Sequence, residues 1–279
     1  MGKVLVLELD NEYGMLRNAD NIDYYNYFKY SNKNIIQKII KKLELNISSI
    51  FFNEWKNKKV SVIMGVYNPK DKEKLCESIN SILNQTYKNI EFIICDDCSN
   101  DDTKKYLRDF SKKDKRIKLI ENKSNLGLAA SLNNCLKIAD GFYIARQDDD
   151  DISKLNRIEK EVLFLEENNM YDFIGCNLEL FDKNGILEYR KHKEKPVKED
   201  FLYGNQFPHP AMLLTKRCLD EVCGYRVKKT TRRTEDYDLF MRLYAKGYTG
   251  YNLQEYLYQY NEDMYGYSKR KFRYRIDEF

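Results

Sequence analysis

From Lys59 onward the chain alternates short apolar runs with amphipathic segments, and two of the apolar runs end in aspartates. VSVIMGV (60–66), IEFIIC (90–95), RIKLI (116–120) and FYIAR (142–146) have the length and near-continuous apolarity of parallel strands covered on both faces. Between them, Asp71–Leu83, a segment capped by Ser99 or Asn100 and running to about Phe110, and Leu126–Ala139 carry helical periodicity. A β-α-β-α-β-α-β order predicts an α/β fold, with a mainly parallel sheet, right-handed crossovers and helices on both faces. Ligands of open α/β sheets bind beyond the carboxyl ends of the strands. Asp96-Asp97 and Asp148–Asp151 lie at two such ends.

The second half is less regular. Leu155–Glu167 reads as a helix, and Phe173–Phe181 with Ile186–Arg190 as a hairpin turning at Asp182–Gly185. A short strand at Ala211–Leu214, a helix at Glu235–Ala245 and an extended stretch at Gly247–Tyr260 follow. Residues 1–58 read as a partly helical N-terminal extension. Lys33–Leu43 puts Ile35, Ile36, Ile39, Ile40 and Leu43 on one helical face, suited to packing on the main domain or to lying on an anionic membrane. Residues 59–260 form the predicted main domain, and 261–279 a tail with Lys269, Arg270, Lys271, Arg273 and Arg275.

Composition removes several classes. The net charge of +4 gives no argument for a nucleic-acid partner. No run of 18 apolar residues offers a membrane span, and the apolar start is too short and too acidic for a secretory signal. Seven scattered cysteines suggest reduced thiols and a cytoplasmic location. Cys95 and Cys98 form a single C-x-x-C with no second ligand pair for zinc. Two histidines, His192 and His209, leave little material for a histidine-based triad.

The chemistry therefore rests on carboxylates. Four consecutive aspartates repel one another unless a cation or solvent offsets them, and oxygen-only ligands favour Mg²⁺ or Mn²⁺. Such ions are held by one or two carboxylates, with substrate phosphates completing the shell. Asp96-Asp97 suits either a cap for the next helix or acceptance of hydrogen bonds from a base or ribose. Glu235, Asp236 and Asp238 suit either the acidic first turn of a helix or a general base.

Taken in order, VSVIMGVYN (60–68), SINSILNQTYKNIEFIICDDCSNDDT (78–103), NLGLAASLN (125–133), RQDDDDISKLNRI (146–158), FPHPAML (207–213) and TEDYDLFMRL (234–243) closely resemble family 2 glycosyltransferases of the GT-A fold. The resemblance covers about residues 59–260. It implies a Rossmann-like α/β fold and an inverting, metal-dependent transfer of a hexosyl or N-acetylhexosaminyl group, with Mn²⁺ or Mg²⁺ as cofactor. The donor implied is a nucleotide sugar, with UDP preferred. The acceptor implied is a glycan or lipid-linked hydroxyl in bacterial surface-polysaccharide synthesis.

Carried over residue by residue, the resemblance makes Asp236 the base and Asp150 the metal ligand. Val66, Tyr67, Asp97, Asp148 and Asp149 would line the donor site, with Asp97 at the nucleobase. His209 and Glu235 would face the acceptor or the diphosphate. Two positions depart from the pattern: Gly65 near the end of the first strand, and Asn261 where an arginine is usual. The basic tail suits peripheral attachment at the inner face of the plasma membrane. A homo-oligomer or a partner transferase fits the same reading, and Lys191–Asn205 and Arg226–Thr234 are natural closing loops. Two rivals are a nucleotidyltransferase, which lacks its phosphate-cradling loop here, and a non-catalytic carbohydrate- or partner-binding domain.

Overall fold

Alternate residues of a strand face opposite sides of its sheet, and the first strand uses both sides. In the computed structural model β1 (Val60–Val66) turns Val60, Val62, Met64 and Val66 into one apolar layer and Ile63 into another. The first layer is closed by α1 (Lys72–Leu83), whose Leu75, Ile79 and Ile82 are buried one turn apart. Each such side chain contributes about 2 kcal/mol. Asp71 caps α1 by accepting from the backbone N–H groups of Glu73 and Lys74. The second layer is closed by α3 (Leu128–Ile138) through Leu132 and Cys135.

The structure describes residues 8–9, 16–17, 58–228, 231 and 234–262. The chain divides into two units, Met1–Asn53 and Glu54–Phe279. In the first, Glu8–Leu9 pairs antiparallel with Leu16–Arg17. The predicted helix at Lys33–Leu43 and the basic tail lie outside the described residues.

The second unit continues with β2 (Ile90–Asp96), α2 (Thr103–Lys113), β3 (Ile117–Glu121) and, after α3, β4 (Tyr143–Arg146). Then come β5 (Ile152–Ser153), α4 (Arg157–Glu167), β6 (Phe173–Asp182), β7 (Gly185–Arg190), β8 (Leu213–Thr215), α5 (Lys216–Glu221), α6 (Glu235–Ala245) and β9 (Gly250–Asn261). Short 3₁₀ turns occupy Lys198–Tyr203 and His209–Ala211. One sheet runs β3-β2-β1-β4-β8-β6-β9-β5, with β7 pairing outside β6. The ladders β3–β2–β1–β4 are all parallel. Beyond β4 the sheet is mixed: β8 is antiparallel to both neighbours, while β6 and β9 pair in parallel.

The predicted α/β order holds, with local corrections. Ser99 does not cap the second helix; its hydroxyl accepts from the backbone N–H of Asn68, and α2 starts later, after Asp102. Asn100 is not the cap either, because its backbone N–H donates to Asn68 Oδ1. The two residues are consumed in clasping the loop after β1 to the loop after β2. Asn68 itself sits at φ 43°, a conformation asparagine tolerates. The strand predicted at Ala211–Leu214 begins at Leu213, because Ala211 closes a 3₁₀ turn after Pro208. The stretch Lys191–Asn205, read from sequence as a loop, contains the 3₁₀ turn Lys198–Tyr203 around buried Phe201.

Candidate active site

Three strands deliver their ends to one edge. Val66 ends β1 and is buried; Tyr67 follows it, about half exposed. Asp96 ends β2, and Asp97 comes next, 3% exposed. Asp97 Oδ1 accepts from Asn122 Nδ2 and from the Leu126 backbone N–H, each at 2.8 Å. Its Oδ2 accepts from the Gly127 N–H at 2.8 Å. The aspartate thus shapes the 122–127 loop, and Oδ2 retains acceptor capacity for one further donor. Gly127 sits at φ 88°, which explains a glycine at the start of α3. Gly65 is set by packing: a Cβ there would come within 3.0 Å of Leu128 Cδ1.

The third end is the acidic turn after β4. Arg146 is fully buried and donates to Asp148 Oδ1 and to the Gln147 carbonyl. The Tyr258 hydroxyl oxygen, from β9, accepts from the Asp148 backbone N–H at 3.2 Å. Ser78 of α1 donates to the Asp148 carbonyl at 2.6 Å. Asp149 is pushed up to about 8, first by burial and then by the charges of Asp150 and Asp148. Asp150 is raised chiefly by burial; a hydrogen bond from Asn261 Nδ2 (2.9 Å) and the charge of Lys74 oppose the rise. Asp151 is raised by burial and then by the charges of Asp148 and Asp150; the Asn261 backbone N–H, which it accepts at 2.7 Å, opposes the rise. The turn is an unfavourable concentration of negative charge that a cation would relieve.

Asp236 comes from a different kind of element. It lies in the first turn of α6, where the helix dipole favours a carboxylate. Its Oδ2 accepts from Asn205 Nδ2 at 2.7 Å. Thr234 occupies the cap position of α6 without a side-chain capping bond. Asp238 is bound by Arg226 at 2.8 Å and Arg242 at 2.7 Å, which makes it a tie between α6 and the preceding segment.

His209 is buried, and its Nε2 lies 2.9 Å from the Tyr225 hydroxyl. Burial and the nearby Arg146 charge hold His209 well below the usual histidine range. The Tyr225 phenol is raised by its own burial; Arg146 opposes that rise, while Asp236, Glu235 and Asp148 add to it. Tyr225, Asn205, Arg146 and Asn261 are site residues that sequence reasoning did not assign. Arg146 carried a signal, a lone charge closing an apolar strand; Tyr225 and Asn205 carried none.

The donor set fits a hard divalent cation. Among the described residues its oxygen ligands are carboxylates, and the turn carries excess negative charge. Among those residues no trio of His, Cys, Asp or Glu is placed to hold a metal alone.

A parallel half-sheet, a mixed half-sheet and acids at their common edge define a GT-A fold. The protein belongs to Glycosyl transferase family 2, whose sequence profile matches residues 61–227. It is 46% identical over 223 residues to EpsE of Bacillus subtilis (strain 168), named as a glycosyltransferase, covering 78% of each chain. It is also similar to the S. aureus TarS 1–349 structure in complex with UDP, at TM-score 0.61 and 20% identity. That match covers 73% of this chain, which spans about 60% of the TarS chain. A third likeness is to the mannosyltransferase PcManGT from Pyrobaculum calidifontis in complex with GDP-Man and Mn²⁺. Its TM-score is 0.58 at 18% identity, over 79% of this chain and 60% of that one. No helix among the described residues is long and apolar enough to cross a membrane.

Proposed function

We propose that the protein is an inverting glycosyltransferase that moves a hexosyl or N-acetylhexosaminyl group from a UDP-linked donor to a hydroxyl of a glycan or lipid-linked acceptor. The observation that supports this reading is the meeting of three strand ends at one edge, carrying Val66, Asp96-Asp97 and the acidic turn Asp148–Asp151, in a chain of Glycosyl transferase family 2. On this reading the acidic turn meets the phosphates, and Asp236 in the first turn of α6 is the base. The nucleoside is bordered by Val66 and Tyr67, and the spare acceptor position of Asp97 meets the base edge. Asp148 and Asp149 face the ribose and diphosphate, and His209 and Glu235 line the acceptor side.

Asp150 holds Mn²⁺ or Mg²⁺, which when bound offsets the charge of the departing diphosphate. The acceptor hydroxyl attacks the anomeric carbon from the face opposite the nucleotide. Its oxygen forms the new C–O bond while the bond to the diphosphate breaks, and the leaving group keeps the electron pair. Asp236 accepts the hydroxyl proton as the new bond forms, and Asn205 keeps the carboxylate aimed. Alignment of the two substrates supplies a large part of the acceleration.

The setting is surface-polysaccharide synthesis at the cytoplasmic face of the membrane, where lipid-linked acceptors are presented. The test is thermal unfolding with UDP, GDP, dTDP and CMP, each with Mn²⁺ or EDTA, followed by transfer assays with the sugar donor of the stabilising nucleotide. A ligand at about 100 times its dissociation constant adds about 2.7 kcal/mol. Stabilisation by UDP that disappears in EDTA is the expected result. Stabilisation by GDP alone would replace the donor assignment, and EDTA-insensitive binding would remove the metal.

A further inference from the structure

The acidic turn has a basic neighbour that the transfer chemistry leaves unused. Lys74 lies in the first turn of α1, where the helix dipole disfavours a cation. Lys72, in the same turn, is accounted for: it binds Asp101 at 2.7 Å, Thr103 at 2.6 Å and the Pro69 carbonyl. Lys74 instead donates to a neutral group, Asn261 Oδ1, at 2.5 Å. Its stem passes Phe181, the ammonium standing 5.7 Å from the ring centre. Among the described residues it makes no ion pair, so its remaining two N–H groups are available.

Asn261 is used at both ends. Its oxygen takes the Lys74 ammonium and its Nδ2 donates to Asp150 Oδ2 at 2.9 Å. This two-sided bonding fixes the orientation of the amide, because its oxygen can face only a donor and its nitrogen only an acceptor. It also engages one oxygen of Asp150, Oδ2. One side chain thus sets both a metal-ligating carboxylate and an ammonium a few bonds away. An ammonium is a compact point charge suited to phosphate oxygens.

We propose that Lys74 is a diphosphate-binding residue of the donor site, aimed by Asn261, so that the ammonium and the Asp150-held ion address the same phosphates from two sides. This rests on the reading of Asp148–Asp150 as the diphosphate site. It explains why β9 can end in Asn261, a neutral residue: the positive charge comes from α1.

The experiment compares UDP with Mn²⁺ and uridine alone, by calorimetry and ligand-observed NMR, on the full chain. The variants are Lys74→Met, Lys74→Gln, and Lys74→Met combined with Asn261→Arg. Loss of the ammonium weakens UDP–Mn²⁺ binding about tenfold and leaves uridine binding unchanged. Asn261→Arg in the Lys74→Met background recovers most of the loss by supplying the charge from β9. Wild-type affinity for UDP–Mn²⁺ in both single variants overturns the proposal, as does equal weakening of UDP and uridine. A wild-type chain that binds no nucleoside diphosphate with Mn²⁺ removes the diphosphate site itself, and the role of Lys74 with it.

Discussion

The two halves of the sheet are built by different rules. From β1 to β4 every ladder is parallel, and each candidate donor residue sits at or just after a strand end. Beyond β4 the sheet is mixed. Asp236 stands at a helix start, His209 in a 3₁₀ turn, and Asn205 in the short loop before that turn. In the first half the sheet fixes the position of the site, and buried backbone groups enforce it. In the second half position depends on individual side-chain hydrogen bonds. A change in the first half should therefore act on binding and folding together, while one in the second can act on chemistry alone.

The sharpest test of that division is Asp236→Asn. Amide and carboxylate have the same shape, and asparagine can still meet Asn205, so nucleotide binding and unfolding temperature should stay near wild type. Transfer should fall by about 10²–10⁴, the usual contribution of a positioned base. Equal turnover in a donor-saturated assay would remove Asp236 from the chemistry and erase the distinction between the halves. Asp97→Ala should behave in the opposite way. It leaves the part-buried N–H groups of Leu126 and Gly127 and one buried N–H of Asn122 without their acceptor. A loss of about 3 kcal/mol in denaturant unfolding, accompanied by loss of nucleotide affinity, is the expected outcome.

The same division governs what could be read from the amino acids. Strand-end acids were legible because parallel strands announce themselves as apolar runs, and the chain leaves each run at the ligand edge. The extent of α6 was also legible from its helical periodicity. The partners were not. Asn205 and Asp236 are 31 residues apart, and their contact depends on how the 3₁₀ turn seats Phe201. Tyr225 reaches His209 across 16 residues with no periodic pattern linking them. Even within the regular half, Ser99 and Asn100 looked like helix caps. Local composition cannot tell a capping hydroxyl from one that clasps the neighbouring loop.

Between the halves runs a buried polar seam, which gives the third prediction. Arg157 of α4 donates to the Arg146 carbonyl at 3.0 Å and lies 3.5 Å from Glu161, both side chains being fully buried. Burial pushes Glu161 up to about 8, with the Arg157 charge opposing it. The folded chain therefore binds this proton more tightly than the unfolded chain, whose carboxyl titrates near 4.5. The resulting stabilisation is complete below that value and is lost as pH rises through about 8. Between pH 5 and 9 wild type should lose stability on the order of 2–4 kcal/mol relative to Glu161→Gln. Parallel pH profiles for the two proteins would show that the seam is ionised throughout.

The smallest expected effect lies in the second half and limits how far its side chains matter for folding. Within the 3₁₀ turn Lys198–Tyr203, Phe201 is 1% exposed, whereas Leu202 is 81% and Tyr203 89% exposed. Phe201 packs against Phe207, Tyr237 and Tyr244, and its carbonyl accepts the Tyr237 hydroxyl. The backbone path to Asn205 is thus held by Phe201 and by Gln206, whose Nε2 donates to the carbonyls of Asp200 and Gly204. Neither exposed neighbour takes part. Leu202→Ser and Tyr203→Ser should each leave stability within about 0.5 kcal/mol of wild type, as surface substitutions generally do. Unfolding midpoints in urea check this directly. A loss above 1 kcal/mol from either would mean that the turn is held by its outer face, and that the aim of Asn205 on Asp236 depends on these exposed side chains.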